Sequence, residues 1–107
     1  MKNLYLTKEN KKYYQQDFLL WMDKNYPFIK RPDIMASNIM YSINRDIGFS
    51  INDLLYNHLE MDEYVEKYTK YFESIKRKSP RGHAHVQKWC ATYFLEYFNS
   101  IKHNHNK

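Results

Sequence analysis

Apolar residues recur at steps of three and four along most of this chain, the period of helices that bury one face. Tyr14, Phe18, Trp21 and Met22 form the first stripe, with Leu20 beside it. They predict a helix from about Lys8 to Lys24 with Thr7 as its N-cap. Tyr26-Pro27 ends it, and Phe28-Ile29 are expected to tuck into the core as the chain turns. Arg31-Pro32-Asp33 opens a second helix, because proline lacks an N–H that a first turn leaves unpaired anyway. Its buried face is Met35, Ala36, Ile39, Met40, Ile43 and Ile47; Ser37, Asn38, Tyr41, Asn44 and Arg45 are left outside. Gly48 suits the left-handed position after a helix, with Phe49 packing back over the end.

Ser50 with Asp53 is a capping-box spacing and opens a short helix with Ile51, Leu54 and Leu55 inward. Asn57 with Glu60 repeats the signal before a longer stripe of Met61, Tyr64, Val65, Tyr68, Tyr71, Phe72 and Ile75. Glu63–Lys67 and Glu66–Lys70 are i, i+4 pairs in the favourable order, so the acidic outer face reads as solvated. Ser79-Pro80 restarts the chain into a last helix. Its stripe is Val86, Trp89, Cys90, Tyr93, Phe94, Tyr97, Phe98 and Ile101, and it is expected to fade at Asn99 or Ser100. The expectation is an all-α fold, a compact bundle of four main helices plus one short helix. Residues 1–101 form a single helical domain and residues 102–107 a frayed tail.

Composition changes this picture little. Two glycines, three prolines and no β-branched run fit helices joined by short loops, and 107 residues leave no room for a separate catalytic module. Eleven Tyr, six Phe and two Trp supply bulky core material. One cysteine makes no internal disulfide, and no apolar run approaches a membrane span or a signal peptide, so the expected setting is cytoplasmic. Many Lys, Asn, Ile and Tyr codons with few Ala suggest an AT-rich coding sequence, as in a low-GC bacterium, its phage or a mobile element.

Charge changes it more. Residues 76–107 carry seven Lys or Arg against Glu96 alone, whereas residues 60–75 carry five acids against two Lys. A field this lopsided speaks to partners. Lys76-Arg77-Lys78-Ser79-Pro80-Arg81-Gly82-His83 is a basic turn fused to a helix start, where free N–H groups add positive potential. Lys76, Arg77, Lys78 and Arg81 are the expected phosphate contacts, with His83 and Lys88 supporting. Arg45, Asn38, Asn44 and Tyr41 could meet base edges, but ordinary surface polarity explains them equally well.

The order of pieces resembles the core-binding, SAM-like domain of tyrosine recombinases and phage integrases. The corresponding stretches are Phe18 to Met22, Ser37-Asn38 with Tyr41, Ile51 to Leu55, Asp62-Glu63-Tyr64-Val65 and Tyr93 to Phe98, together spanning roughly residues 8 to 99. That family clamps duplex DNA with exposed helix faces and basic connecting segments. The recombinase catalytic domain, with its Arg, His-x-x-Arg and nucleophilic Tyr, has no counterpart here. What the resemblance implies is DNA contact without strand cleavage.

Other chemistry is less well served. His83-x-His85 and His103-x-His105 have no Cys or carboxylate at ligand spacing, and i, i+2 side chains diverge on a helix, so neither metal nor cofactor is expected. Arg77 and His83 match the loose Arg-x(4–6)-His signature of HEPN-type ribonucleases, though Pro80 and Gly82 interrupt the helix that family uses. Cys90 lies on an apolar stripe and reads as inert packing. Tyr5, Tyr13, Tyr41 and Tyr56 fall off the main stripes. The leading expectation is thus a small nucleic-acid-binding protein, DNA first. The alternative is a phage or mobile-element interaction module that inhibits a host or defence protein.

Overall fold

A computed structural model describes residues 5–56 and 58–105, with side chains through residue 101. The chain is all-α, and among the described residues there is no strand. Helix α1 spans Lys11–Asn25. A nearly continuous helical rod follows: α2 (Pro32–Ser37), a π-helical turn (Asn38–Ser42) and α3 (Ile43–Ile47). Short α4 (Ile51–Leu55) leads to α5 (Met61–Ser74) and long α6 (Pro80–His105). The α5–α6 hairpin makes the most extensive contact between elements; α1, the π-turn, α3 and α4 pack onto it, and α2 packs against α1.

Local signals explain most boundaries. Ser50 and Asp53 form the reciprocal capping box: the Ser50 hydroxyl accepts from the Asn52 N–H at 2.9 Å, and the Asp53 carboxylate accepts from the Ser50 N–H at 2.9 Å. Gly48 takes the left-handed conformation (φ 75°) and stops α3, its N–H donating to the Asn44 carbonyl. Pro32 sits at the start of α2. Thr7 caps the turn ahead of α1: its hydroxyl accepts from the Asn10 N–H at 3.3 Å while Asn10 Oδ1 accepts from the Thr7 N–H at 2.7 Å, so α1 begins at Lys11. Helix α5 begins at Met61 after Glu60, with no side-chain cap; the expected cap at Asn57 lies outside the described residues.

The core is built from Phe18 and Met22 of α1, Ala36, Ile39, Met40 and Ile43 of the rod, Ile51, Leu54 and Leu55 of α4, and the inner faces of α5 and α6. Aromatic edges join the α1 and α6 faces: Phe18 meets Phe94 at 5.1 Å and Tyr97 at 5.4 Å between ring centroids. Tyr97 also donates to the Asp17 carboxylate at 2.7 Å, and Tyr68 to Asp46 at 3.0 Å, so both buried phenols have partners. Two off-stripe tyrosines are absorbed locally, Tyr5 stacking on Tyr56 at 4.6 Å. Tyr41 donates to Gln15 and lies under the Lys11 ammonium. Tyr13 stays largely exposed, edge-on to Tyr14.

Several expectations of burial are overturned. Phe28 is 73% exposed, because the chain after Tyr26 turns outward and Phe28 meets only the rim of the Trp21–Tyr26–Tyr93 aromatic group. Ile75 is about half exposed because α5 has already ended at Ser74. Val86 and Trp89 are exposed, Trp89 at 65%, since the face α6 presents inward is centred on Ala84, Gln87, Ala91, Phe94, Phe98 and Ile101. Small Ala84 and Ala91 are at 0% exposure on that face. Helix α6 runs on to His105 rather than fading at Asn99 or Ser100.

Candidate nucleic-acid interface

The end of α5 is a Schellman cap with an unusual occupant. The Arg77 N–H donates to the Phe72 carbonyl at 2.9 Å, and the Lys76 N–H donates to the Glu73 carbonyl at 3.0 Å. Lys76 itself, at φ 59°, adopts the left-handed conformation that glycine favours at this position. Ser79, at φ 52°, makes a second left-handed step into Pro80, and the His83 N–H then donates to the Ser79 carbonyl. Two such residues fold the basic segment into a tight turn. They fix where its side chains emerge.

Arg77 closes the cap in a second way. Its guanidinium lies over the Phe72 ring, 5.7 Å from the centroid, and the His83 ring approaches the same Phe72 at 5.6 Å. Arg77 and His83, separated in sequence by the turn and the helix start, are thus gathered around one buried aromatic ring. They line a cleft of about 300 Å³ whose far wall is the outer face of the rod, contributed by Asn38, Arg45 and Asp46. Its rim is apolar, with Ile75 and Val86, and Gln87 lies in its α6 wall.

The rod side of the cleft is held in place by its own bonds. Arg45 Nε donates to Asp46 at 3.0 Å and Nη2 to the Ser42 hydroxyl at 3.3 Å; the Ser42 hydroxyl donates to Asn38 Oδ1 at 3.2 Å. Asp46 is almost wholly buried, and its second oxygen accepts from Tyr68, so its charge is spent inside the protein. The Arg45 side chain is 72% exposed, leaving the rest of the guanidinium to solvent. The π-turn Asn38–Ser42 carries two of these residues; π-turns inside helices often occur at functional sites. Burial pushes the Cys90 thiol behind Asn38 up to about 11, partly opposed by its hydrogen bond to Asn38, so it stays a neutral packing group.

The six residues expected to contact phosphate therefore divide. Arg77 and His83 line the cleft, and Lys76 and Lys78 are exposed on the turn beside it. Arg81 instead reaches across to α5 and pairs with Glu66 at 2.9 Å. That contact also corrects the reading of Glu66 as merely solvated. Lys88 is half-buried and does not line the cleft. Tyr71, Phe72, Gln87 and the rod residues complete the cleft, and of these the sequence pointed only to Asn38 and Arg45.

Among the described residues there is no group of three His, Cys, Asp or Glu side chains able to hold a metal ion; the His103 and His105 side chains lie outside them. Among them, too, no helix is long and apolar enough to cross a membrane. Comparison of the chain with family models, with characterised proteins and with solved structures finds no match, so its likeness to recombinase core-binding domains rests on the sequence pattern alone.

Proposed function

We propose that this chain binds nucleic acid, DNA in the first instance, by gripping phosphates at the turn between α5 and α6. The observation that supports the reading is the convergence of Arg77, His83 and Arg45 on one cleft, with Lys76 and Lys78 exposed on the same turn as Arg77. Guanidinium groups match phosphate oxygens in a bidentate fork, and the first-turn N–H groups of α6 add an oriented partial charge nearby. The contacts are sequence-independent by nature, because phosphates carry no base identity.

Counterion release makes the claim quantitative. Four phosphate contacts give a log–log salt slope of roughly −3 to −4 on duplex DNA. Fluorescence anisotropy of a labelled duplex across a salt series measures it. The combined Lys76→Ala, Arg77→Ala, Lys78→Ala and Arg45→Ala variant should flatten the slope to near zero. Unaltered binding by that variant, or none by the parent chain at low salt, sinks the proposal.

A second reading, a module that docks on a host or defence protein and inhibits it, draws on Trp89. A largely exposed Trp beside an exposed Val86 is the kind of anchor protein interfaces favour. A complex with a protein partner that survives high salt and is lost in Trp89→Ala would favour this reading over the first.

A further inference from the structure

The cleft beside the α5–α6 turn has a counterpart on the other side of the rod. There the segment leading into α1 closes a second cleft, of about 390 Å³, lined by Lys8, by Lys11 at the start of α1, and by Tyr41 and Asn44 of the rod. Asn44 and Arg45 are consecutive and both exposed, yet they line different clefts. The rod thus stands as a ridge between the two. Ser37, Tyr41 and Asn44 share its exposed outer face at steps of four and three.

The lysines of the second cleft sit on a segment that is tied down. Asn52 of α4 accepts from the Leu6 N–H at 2.9 Å and donates back to the Leu6 carbonyl at 3.0 Å, and Asn10 donates to the Tyr5 carbonyl at 2.9 Å. The Lys11 ammonium lies over the Tyr41 ring, 5.4 Å from its centroid, while the Tyr41 hydroxyl donates to Gln15. Among the described residues no carboxylate lines this cleft; Glu9 is exposed beside Lys8 but lies outside it. Across the ridge Asp46 does line the first cleft, and its charge cancels that of Arg45. The Asp46 side chain is only 5% exposed, with one oxygen on Arg45 and the other on Tyr68. The net positive charge of that flank therefore comes from Arg77, with Lys76 and Lys78 exposed on the same turn.

A polar ridge with cations on both flanks is the complement of a groove with a phosphate backbone on each side. A helix with its side chains is about 10–12 Å across, and the major groove of B-form DNA is about 12 Å wide. The deep, narrow major groove of an RNA duplex is closed even to side chains. A single strand has one backbone and reaches only one flank. We propose that the rod enters the major groove of duplex DNA, with one strand's phosphates on Arg77 and its neighbouring lysines and the other strand's on Lys8 and Lys11. The proposal rests on the phosphate-binding reading above and deepens it, adding the second strand and the groove between.

Three labelled probes test this by anisotropy at one low salt concentration: a DNA duplex, one of its strands alone, and the same duplex with bulky substituents at the 5-position of its pyrimidines. Those substituents fill the major groove and leave the phosphates as they are. The intact chain should bind the plain duplex at least ten-fold more tightly than either of the other probes. Lys8→Ala with Lys11→Ala should weaken plain-duplex binding at least ten-fold and, across a salt series, flatten its slope by about 1.8. Single-strand affinity should stay within about two-fold of the parent's, because the α5–α6 turn is untouched. Lys8→Gln with Lys11→Gln, which keeps most of both stems, is the second variant should alanine disturb the contact with Tyr41.

Equal affinity for the plain and the groove-filled duplex overturns the proposal and leaves phosphate binding at the turn standing. So does unaltered duplex binding in both double variants, or a loss in them that is as large for the single strand as for the duplex. Absence of binding to every probe removes the nucleic-acid reading itself, and this inference with it.

Discussion

The two halves of α6 carry the same apolar rhythm and meet opposite fates. Toward the C-terminus Phe94, Tyr97 and Phe98 are almost wholly buried: Phe94 meets Phe18 of α1 edge-on, Tyr97 meets it tilted, and Phe98 meets Tyr56 edge-on. Toward the N-terminus Val86 and Trp89 stand in solvent while Ala84, Cys90 and Ala91 are buried in their place. Periodicity fixes the spacing of a buried face, but its centre depends on what packs there. Where α1 lies against the helix there is room for rings. In the other half the buried positions are held by the small Ala84 and Ala91 instead. The outward face of that half is then left for the cleft rim and Trp89.

Substitution at the two ends should separate them most sharply. Phe94→Ala removes a ring from a closed core and should cost about 3–5 kcal/mol, read from urea unfolding. Trp89→Ala removes a larger ring from the surface and should stay within about 0.5 kcal/mol. A loss at Trp89 as large as at Phe94 would mean that the half-helix is buried after all.

Alkaline pH should attack the buried set in both halves. Burial raises the phenols of Tyr64, Tyr68 and Tyr97 above their ordinary value, and the Cys90 thiol to about 11. Each of these groups is neutral when protonated, and the fold holds the proton more tightly than the unfolded chain does. The stabilisation is therefore complete below the ordinary thiol and phenol range and disappears as pH rises toward the folded-state values. The share of Cys90 is on the order of 2–3 kcal/mol, lost between the ordinary thiol range and about pH 11. Unfolding free energy followed by urea titration from pH 8 to 11 should fall steadily, and Cys90→Ala should fall less steeply than the parent chain.

Much of the frame was legible because its signals are local. Pro32, the Ser50–Asp53 box, Gly48 and the α5 stripe as far as Phe72 each act within a few residues of themselves, and each does in the fold what its neighbours in sequence suggest. The cleft was not legible as a unit. Asn38 and Arg45 meet Arg77, His83 and Gln87 only because the rod lies against the α5–α6 hairpin, a tertiary fact with no local signature. Gln87 looked like an ordinary polar residue beside Val86, and only the true centre of the α6 face makes it half-buried. The partner of Arg81 was hidden for the same reason: Glu66 already had a lysine at i+4 to suggest one.

That ion pair yields a smaller contrast within the basic turn. Arg77 is free to turn a guanidinium edge toward a ligand, whereas Arg81 is held by Glu66. Arg77→Ala should weaken duplex binding about five- to ten-fold and reduce the salt slope by about 0.9, but Arg81→Ala should change affinity less than about two-fold. Equal losses at both positions would show that the Glu66 contact opens when a phosphate arrives.

The gentlest test concerns Lys76, where stability and binding pull apart. A lysine in the left-handed conformation costs roughly 1 kcal/mol relative to glycine, and the Schellman bonds around it involve backbone alone. Lys76→Gly keeps both hydrogen bonds and removes the strain. Part of that gain is offset because glycine also loosens the unfolded chain. The variant should therefore melt at the same temperature or a few degrees higher while binding duplex DNA about two- to three-fold more weakly, through one lost phosphate contact. A glycine there would make the better helix end. A drop in stability would instead mean that the ammonium group itself supports the fold, and the turn would then be structural rather than a place for an anion.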